Sequence, residues 1–558
     1  MVKKLLSLLH REWSGLHEAA FLLALFAIFS QILALFRDRL LAHTFGAGQT
    51  LDTYYAAFRI PDLVFAGVAS FMSAVVLIPI LIRYAKDNDA RAQKFLNDAF
   101  TVFFTFLVIV CVGIFIAMPA LVQAFFPHLE GQAQSDLIMM TRILILSPIL
   151  LGLSNLLSSV TQMLHKFIAF ALAPVLYNIG IIFGAIFLYP VFGIVGLAWG
   201  VILGAFFHFF IHFFVSYRHG FSLTLSLAPS LRDIWEVIYV SFPRTIGLVA
   251  NQIALFVLII YAMQMEAGSV TVFNFAFNLQ SVPLAIIGMS YATAAFPTLS
   301  KHFAGADIEK FLAQILSATR HIVLWSLPIL VLFIVLRAQI VRTILGSGSF
   351  DWTATILTAA TLALFSVSII AQSVGLLFIR GFYATGQNKI PLIANLLSAV
   401  LIVVSGYGLV HWYGSSQFFQ NFISSLLRVE DVRGAEVLML PLAYSIGMVF
   451  NVALLIYFFR RRFGRFLSPV KNTFTQGLFA SLMAGFVAYE FLGVLGMYLD
   501  LNTFLGIFTQ GLVAGVAGML TWWLILELLG SEEIKETRTA LKRKFWKAGA
   551  VMPDREEI

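Results

Sequence analysis

Long apolar runs separated by short polar breaks dominate the chain from residue 19 to residue 529. A helix rises about 1.5 Å per residue and the hydrocarbon core of a bilayer is about 30 Å thick, so about 20 predominantly apolar residues suffice to cross it. On that rule the pattern predicts spans near 19–43, 53–84, 98–125, 136–163, 168–189 and 193–217. A second set is predicted near 236–264, 269–299, 312–345, 354–384, 390–412 and 437–459, and two more spans near 474–498 and 503–529. The expected fold is therefore an all-α polytopic membrane protein of about fourteen transmembrane helices.

The two sets of six spans repeat one another. Ser30-Gln31-Ile32 answers Asn251-Gln252-Ile253, Tyr54 to Arg59 answers Phe273 to Asn278, and Ile78-Pro79 answers Phe296-Pro297. The offset drifts between about 218 and 221, and Lys166 answers Lys389 further on; a period that long is a duplicated domain rather than a solenoid. Six spans per copy make the copies parallel, giving two six-helix bundles around a central cavity. The expected organisation is an N-terminus at 1–18, a first bundle at 19–218 and a polar connector at 219–235. A second bundle at 236–462, two appended helices at 463–530 and a basic tail at 531–558 complete it. Residues 413–436 form the longest predicted external loop, and the tail reads as an exposed helix or a disordered end.

Composition agrees. The chain has 558 residues, 60% hydrophobic and only 11% charged, with a mean hydropathy of +0.92. Soluble domains carry about 25% charged residues. Residues 1–18 are polar and basic, and the first apolar run is too long for a cleavable signal. The lone Cys111 rules out an intrachain disulfide and reads as a buried thiol.

The net charge of +8 gathers in alternate loops: Lys3-Lys4-Arg11, Arg83-Lys86-Arg91-Lys94, Lys166, Arg218-Arg232, Lys301-Lys310, Lys389, Arg460 to Lys471, and the tail. That asymmetry places both termini in the cytoplasm and assigns the basic residues to orientation and anionic membrane lipids, not to nucleic acid.

No P-loop, HExxH, GxSxG or paired-cysteine site occurs, so hydrolytic and ATP-driven chemistry are not signalled and no cofactor is expected. His208 and His212, at i and i+4, read either as metal ligands or as interfacial aromatics. Chemistry must come from polar groups placed where lipid penalises them, at about 2.5–3.5 kcal/mol for a charge at the bilayer centre. Arg37, Asp38 and Arg39 close span 1, and Asp52, Arg59 and Asp62 lie in or before span 2. These form a polar stripe toward a cavity, or Arg37 pairs with Asp52 or Asp62 to lock the two spans. Arg244 opens span 7 after Pro243, while Asn251, Gln252, Asn274, Asn278 and Gln280 polarise spans 7 and 8. Amides can simply join helices, and Arg244 and Arg380 can snorkel to the interface. Guanidinium forks bind phosphate bidentately, so a cationic cavity suits a phosphorylated lipid head group. Glu490 stands alone inside span 13.

At these residues the chain resembles the MurJ/MviN family of lipid II flippases, within the multidrug/oligosaccharidyl-lipid/polysaccharide exporter superfamily. The resemblance rests on Arg37-Asp38-Arg39-Leu40-Leu41-Ala42, Phe45-Gly46-Ala47-Gly48, Asp52 and Ala57-Phe58-Arg59-Ile60-Pro61-Asp62. It extends through Ala173 to Ile179, Pro243 to Gly247, Phe296 to Ser300 and Gly381 to Gly386, covering nearly all of residues 20–530.

The resemblance implies alternating access. Lipid II is taken from the inner leaflet of the bacterial cytoplasmic membrane, its diphosphate–sugar head group crosses the cavity, and its undecaprenyl tail stays in lipid along spans 13 and 14. It implies Arg37, Asp38 and Asp52 as cavity residues. The chain departs from the family where Gln31, Phe65 and Asn278 replace cavity arginines, where Ser70 replaces an acid, and where Leu258 occupies the ion-site acid of span 7. Arg59 and Arg244 are then expected to join Arg37 at the diphosphate, with Asp38, Asp52, Gln31 and Asn278 shaping the cavity. The coupling ion is not specified. Expected partners are the lipid-linked diphosphate–sugar substrate, membrane lipids and cell-wall synthesis proteins. Transport of another polyprenyl-diphosphate glycan, or a transport-incompetent scaffold, are the alternative readings.

Overall fold

The computed structural model describes residues 16–546 except 73, 88, 431 and 465. The N-terminal residues before 16, Arg465 and the tail beyond 546 therefore lie outside the described residues, as do the side chains of Ser70, Lys86 and Lys542 to Lys544.

The described residues are helical and contain no strand. In chain order the helices are α1 (Leu16–Phe45), α2 (Gln49–Ala57), α3 (Arg59–Gly67), α4 (Ala74–Asp87), α5 (Asp89–Phe125), α6 (Gly131–Leu144), α7 (Ser147–Met163) and α8 (Phe167–Phe183). Next come α9 (Tyr189–Phe192), α10 (Ile194–Arg218), α11 (Leu231–Ala262), α12 (Ser269–Pro283), α13 (Ser290–Ala304), α14 (Ile308–Val335), α15 (Arg337–Ile344) and α16 (Trp352–Ser366). The last are α17 (Ser368–Ala384), α18 (Lys389–Ser415), α19 (Gln417–Leu427), α20 (Met439–Phe463), α21 (Ser468–Gly496), α22 (Phe504–Leu528) and α23 (Glu532–Trp546). Among the described residues, 11 helical stretches are long and apolar enough to cross a membrane, and the pair α16–α17, bent by 42°, makes up to 12. These fall on the third to fourteenth expected spans. The chain is an all-α polytopic membrane protein.

The expected second span is not one rod. It breaks at Phe58 and again between α3 and α4, where Ala69–Met72 forms a 3-10 turn. Its repeat counterpart also breaks: α12 ends at Pro283 and runs through a π-helical stretch, Leu284–Met289, into α13. A proline ring displaces the carbonyl four residues earlier, and such displaced ladders commonly relax through a wide turn.

Contacts divide the chain into two compact units. Unit 1 comprises Met1–Leu279, Ile344–Thr361 and Asn388–Gly447; unit 2 comprises Gln280–Thr343, Leu362–Gln387 and Met448–Ile558. Within unit 1, α8 and α10 approach backbone to backbone. A methyl group on Gly180 would lie 2.3 Å from the Gly204 Cα, and one on Gly184 2.5 Å from the Gly200 Cα. Glycines four apart on each helix clear the groove that allows this, the small-residue logic of membrane helix pairs. The expected connector is a strap on α5. Gln93, Asn97 and Thr101 accept the backbone N–H groups of Ser222, Thr224 and Ser226 at 3.3, 3.2 and 2.8 Å. Four helical residues rise about 6 Å, and two extended residues cover about the same, so the two ladders stay in register. His208 and His212 bond the hydroxyls of Ser154 (2.7 Å) and Thr161 (3.1 Å), joining α10 to α7. No group of three or more metal-ligating side chains occurs among the described residues. Cys111 is buried.

In unit 2, Phe459 of α20 packs against the rings of Phe311, Phe378 and Phe382. The tail begins as a docked helix rather than a wholly exposed one. Glu533 is 3% exposed and receives Arg320 Nε and Thr473 Oγ1 at 2.6 Å each. Ser531 Oγ donates to its other oxygen at 2.6 Å, and Arg320 reaches Glu532 at 2.7 Å. Glu490 is exposed on α21.

Candidate functional site

The polar stripe of α1 becomes one end of a hydrogen-bonded chain in unit 1. Arg37 donates through Nε and Nη2 to Asp38 Oδ1 at 3.0 and 2.8 Å, and through Nη1 to Asn178 Oδ1 at 3.0 Å. Asn178, on α8, donates onward to Ser30 at 3.4 Å and to the Pro174 carbonyl at 3.1 Å. The free Oδ2 of Asp38 accepts from Asn278 Nδ2 of α12 at 2.9 Å. The expected alternative, Arg37 pairing with Asp52 or Asp62, is not the arrangement found: the partner is the adjacent Asp38. Arg37 retains 19% side-chain exposure and Asp38 4%, so the pair is mostly withdrawn from water.

Asp52 does something different. Its Oδ2 accepts Gly268 N at 2.6 Å, and its Oδ1 accepts both Thr271 N at 2.8 Å and Thr271 Oγ1 at 2.6 Å. The first N–H groups of a helix have no intrahelical acceptor and carry positive partial charge, so the buried Asp52 carboxylate caps α12 from a neighbouring helix. Each such charge-assisted bond contributes about 1.5–3 kcal/mol net.

Arg59 donates to Asn274, whose own amide holds the Val270 carbonyl at 2.8 Å. The Arg59 Nε is buried without an acceptor. Thr271, Asn274 and Asn278 fall at i, i+3 and i+7, one face of α12. That single face thus meets Asp52, Arg59 and Asp38 in turn.

An aromatic layer accompanies the polar one. Tyr54 and Tyr55 pack edge to face at 5.3 Å, Tyr55 meets Phe275 at 5.8 Å, and Phe275 meets Phe350 at 5.8 Å. Tyr54, Tyr55, Phe275 and Phe350 are all buried. The end of α1 is clasped by the 344–349 segment. Ser349 N donates to the His43 carbonyl at 2.9 Å, and Arg39 reaches the Ile344 carbonyl at 3.4 Å. Gly348 sits at φ +61°, where a methyl group would lie 2.4 Å from the His43 oxygen.

Of the expected site residues, the structure brings Arg37, Asp38 and Asn278 into one chain and places Asp52 and Arg59 against the same helix. Gln31 and Arg244 are half-buried on α1 and α11. Sequence reasoning gave no role to Asn178 or Thr271. A lone amide inside an otherwise apolar run was the available sign for Asn178; Thr271 offered none.

Unit 2 carries an apolar groove of about 600 Å³ between α14 and α22, lined by Trp325, Leu332, Leu336, Gly511, Gly515 and Trp523.

The sequence profile of the family described as lipid II flippase MurJ matches residues 41–510. A protein of Burkholderia cenocepacia named lipid II flippase MurJ is 28% identical over 387 residues, 68% of this chain and 75% of its own. A probable lipid II flippase MurJ of Buchnera aphidicola (from Acyrthosiphon pisum) is 26% identical over 385 residues, with the same coverage. Among solved structures, a lipid II flippase MurJ in an inward closed conformation superposes with a TM-score of 0.71 at 19% identity, covering 92% of this chain and all of that one. An inward-facing multidrug resistance transporter of the MATE family superposes at 0.64 and 18%, covering 80% and 96%. The match spans well over half the chain, and the fold agrees: the chain belongs to the lipid II flippase MurJ family.

Proposed function

We propose that this chain moves lipid II from the inner to the outer leaflet of the bacterial cytoplasmic membrane by alternating access. Both termini lie in the cytoplasm, and two six-helix bundles carry two appended C-terminal helices. The end of the chain's spans that holds Gly48 and Gly268 is then external. The observation that carries this reading is the closed set of contacts there: Asp52 on Gly268 and Thr271, Arg59 on Asn274, and Asp38 on Asn278. An external end sealed by polar contacts and buried rings is the resting side of a transporter loaded from the cytoplasm.

Arg37, Arg59 and Arg244 bind the diphosphate, and Asp38, Asp52, Gln31 and Asn278 shape the cavity. Three of the five Arg37 N–H groups are engaged in this state, so the diphosphate competes with Asp38 and Asn178 for the guanidinium. Phosphate oxygens are suitable competitors, because a guanidinium gives them paired, charge-assisted bonds. Arg59 offers its unsatisfied Nε directly. Asp38 also holds Asn278 of α12 through its other oxygen, so moving the carboxylate off Arg37 bears on the external contacts and couples head-group binding to opening on the far side. The groove between α14 and α22 takes part of the undecaprenyl tail, since it offers almost no polar surface.

A replacement assay tests the function. A bacterium's own lipid II flippase is depleted, this chain is expressed, and lipid II exposed outside is measured. Rescue that disappears in Arg37→Ala, with normal membrane insertion, is the expected result. Failure of the unaltered chain, with insertion verified, overturns the proposal.

A further inference from the structure

The segment expected to be the longest external loop contains a helix whose surface divides into three sectors. At about 100° per residue, Phe418, Phe422 and Leu426 of α19 occupy one arc of about 80°. Phe419, Ile423 and Leu427 occupy the next arc, and Gln420, Ser424, Gln417, Asn421 and Ser425 the remainder. The second sector is buried against unit 1, at 7%, 4% and 7% exposure. The polar sector is exposed or half-buried. The first sector is apolar yet 79%, 54% and 60% exposed. One face suits protein and one suits water; the third suits neither.

Its surroundings say what covers it. The helix follows directly on α18, a span whose exposed apolar residues Val400, Val404 and Tyr407 require lipid around them. That lipid-facing surface ends at Trp412, itself 52% exposed, whose ring stacks on Phe419 at 4.0 Å and 4° between planes. Gln420 donates to the Tyr413 carbonyl at 2.6 Å, and Ser416 caps the helix by accepting Phe419 N at 3.3 Å. The helix is therefore held at the mouth of a lipid-facing span, with its apolar arc left bare.

We propose that α19 lies on the membrane, with Phe418, Phe422 and Leu426 inserted among the lipid chains of the outer leaflet and its polar sector in the head-group region. Such interfacial helices combine an aromatic and aliphatic face with a polar one. The contact with lipid rests on the three sectors and on the lipid-facing span that α19 directly follows; its assignment to the outer leaflet rests on the orientation proposed above.

The test uses the full chain with Cys111→Ala, so that single cysteines can carry an environment-sensitive fluorophore. Probes are placed by Phe418→Cys, Phe422→Cys, Leu426→Cys, Asn421→Cys and Ser425→Cys. The protein is reconstituted in vesicles of phosphatidylethanolamine and phosphatidylglycerol, with or without brominated acyl chains. Probes at 418, 422 and 426 are expected to be severalfold more quenched by bromolipid than those at 421 and 425, and severalfold less quenched by iodide. Iodide access at 418, 422 and 426 equal to that at 421 overturns the proposal. So does shielding from iodide without bromolipid quenching, the mark of a second copy or another protein on this face. A separate arm traps iodide inside vesicles of known protein orientation. Quenching at 421 and 425 from the side of the C-terminal tail would refute the proposed orientation while leaving the membrane contact standing.

Discussion

Asp52 and Thr271 are repeat counterparts, 219 residues apart, and they bond to each other: Oδ1 of the one accepts both the backbone N–H and the hydroxyl of the other. Ala47 and Gly268 meet in the same region, where a methyl group on Gly268 would lie 2.7 Å from the Ala47 oxygen. The carboxylate therefore pins α2 to the start of α12.

Asp52→Asn turns one acceptor oxygen into an NH2 group facing a backbone N–H. Leaving a buried donor unsatisfied costs about 1–3 kcal/mol, roughly 5- to 150-fold in the closed-to-open ratio. A cysteine placed by Phe275→Cys, in a Cys111→Ala background, should react correspondingly faster with an impermeant reagent added outside. An unchanged rate would refute a closing role for Asp52.

Arg37→Ala should lower externally exposed lipid II by at least about 30-fold, given the roughly 2–5 kcal/mol lost when one partner of a buried charge contact is truncated. Arg37→Lys should recover only part of this, because an ammonium cannot reach Asp38 and Asn178 together as the planar fork does. Equal transport by Arg37→Lys and the unaltered chain would argue against a forked contact.

Gly348→Ala tests the clasp on α1. The left-handed backbone and the 2.4 Å approach to the His43 oxygen together predict a loss of about 1–3 kcal/mol in unit 1 stability. Denaturant unfolding in detergent measures it, and a neutral outcome would show that the 344–349 segment yields readily.

Filling the apolar groove should impair transport without unfolding. Gly511→Leu with Gly515→Leu places side chains against Gln339 and Leu336, whose atoms lie 3.0 and 3.2 Å from the added methyl positions. Weaker retention of a polyprenyl diphosphate at unchanged Tm is expected. Unchanged retention would remove the groove from the tail's path.

The docking of α23 should depend on pH. Burial pushes the Glu533 carboxyl up, but hydrogen bonds from Ser531, Thr473, its own backbone and Arg320 outweigh this and hold it down at about 2. A carboxyl depressed on docking stabilises above its ordinary range, near 4.5, and loses that stabilisation as pH falls toward 2. Protease cleavage within Glu532–Trp546 should therefore be constant from pH 8 to about 5 and rise below about 4. Cleavage that is flat down to pH 3 would contradict this. Glu533→Gln should release α23 already at neutral pH.

The spans were legible in the sequence because hydrocarbon thickness acts on each segment separately. Length and apolar content alone therefore located the membrane-spanning stretches from α5 onward, and the polar breaks separated them. Arg37, Asp38, Asp52, Arg59 and Asn278 stood out because lipid penalises polar groups. Who bonds whom was not legible. Arg37 was expected to line a cavity or to pair with Asp52 or Asp62; neighbouring residues on a helix diverge by about 100°, and the length of the arginine side chain closes that gap to Asp38. Asn178 and Thr271 entered the site through packing of α8 and α12 against α1 and α2, contacts whose register no local pattern encodes. The same holds for α19. Its segment was expected to be part of an external loop, and only tertiary packing buried one apolar arc and left the next one bare.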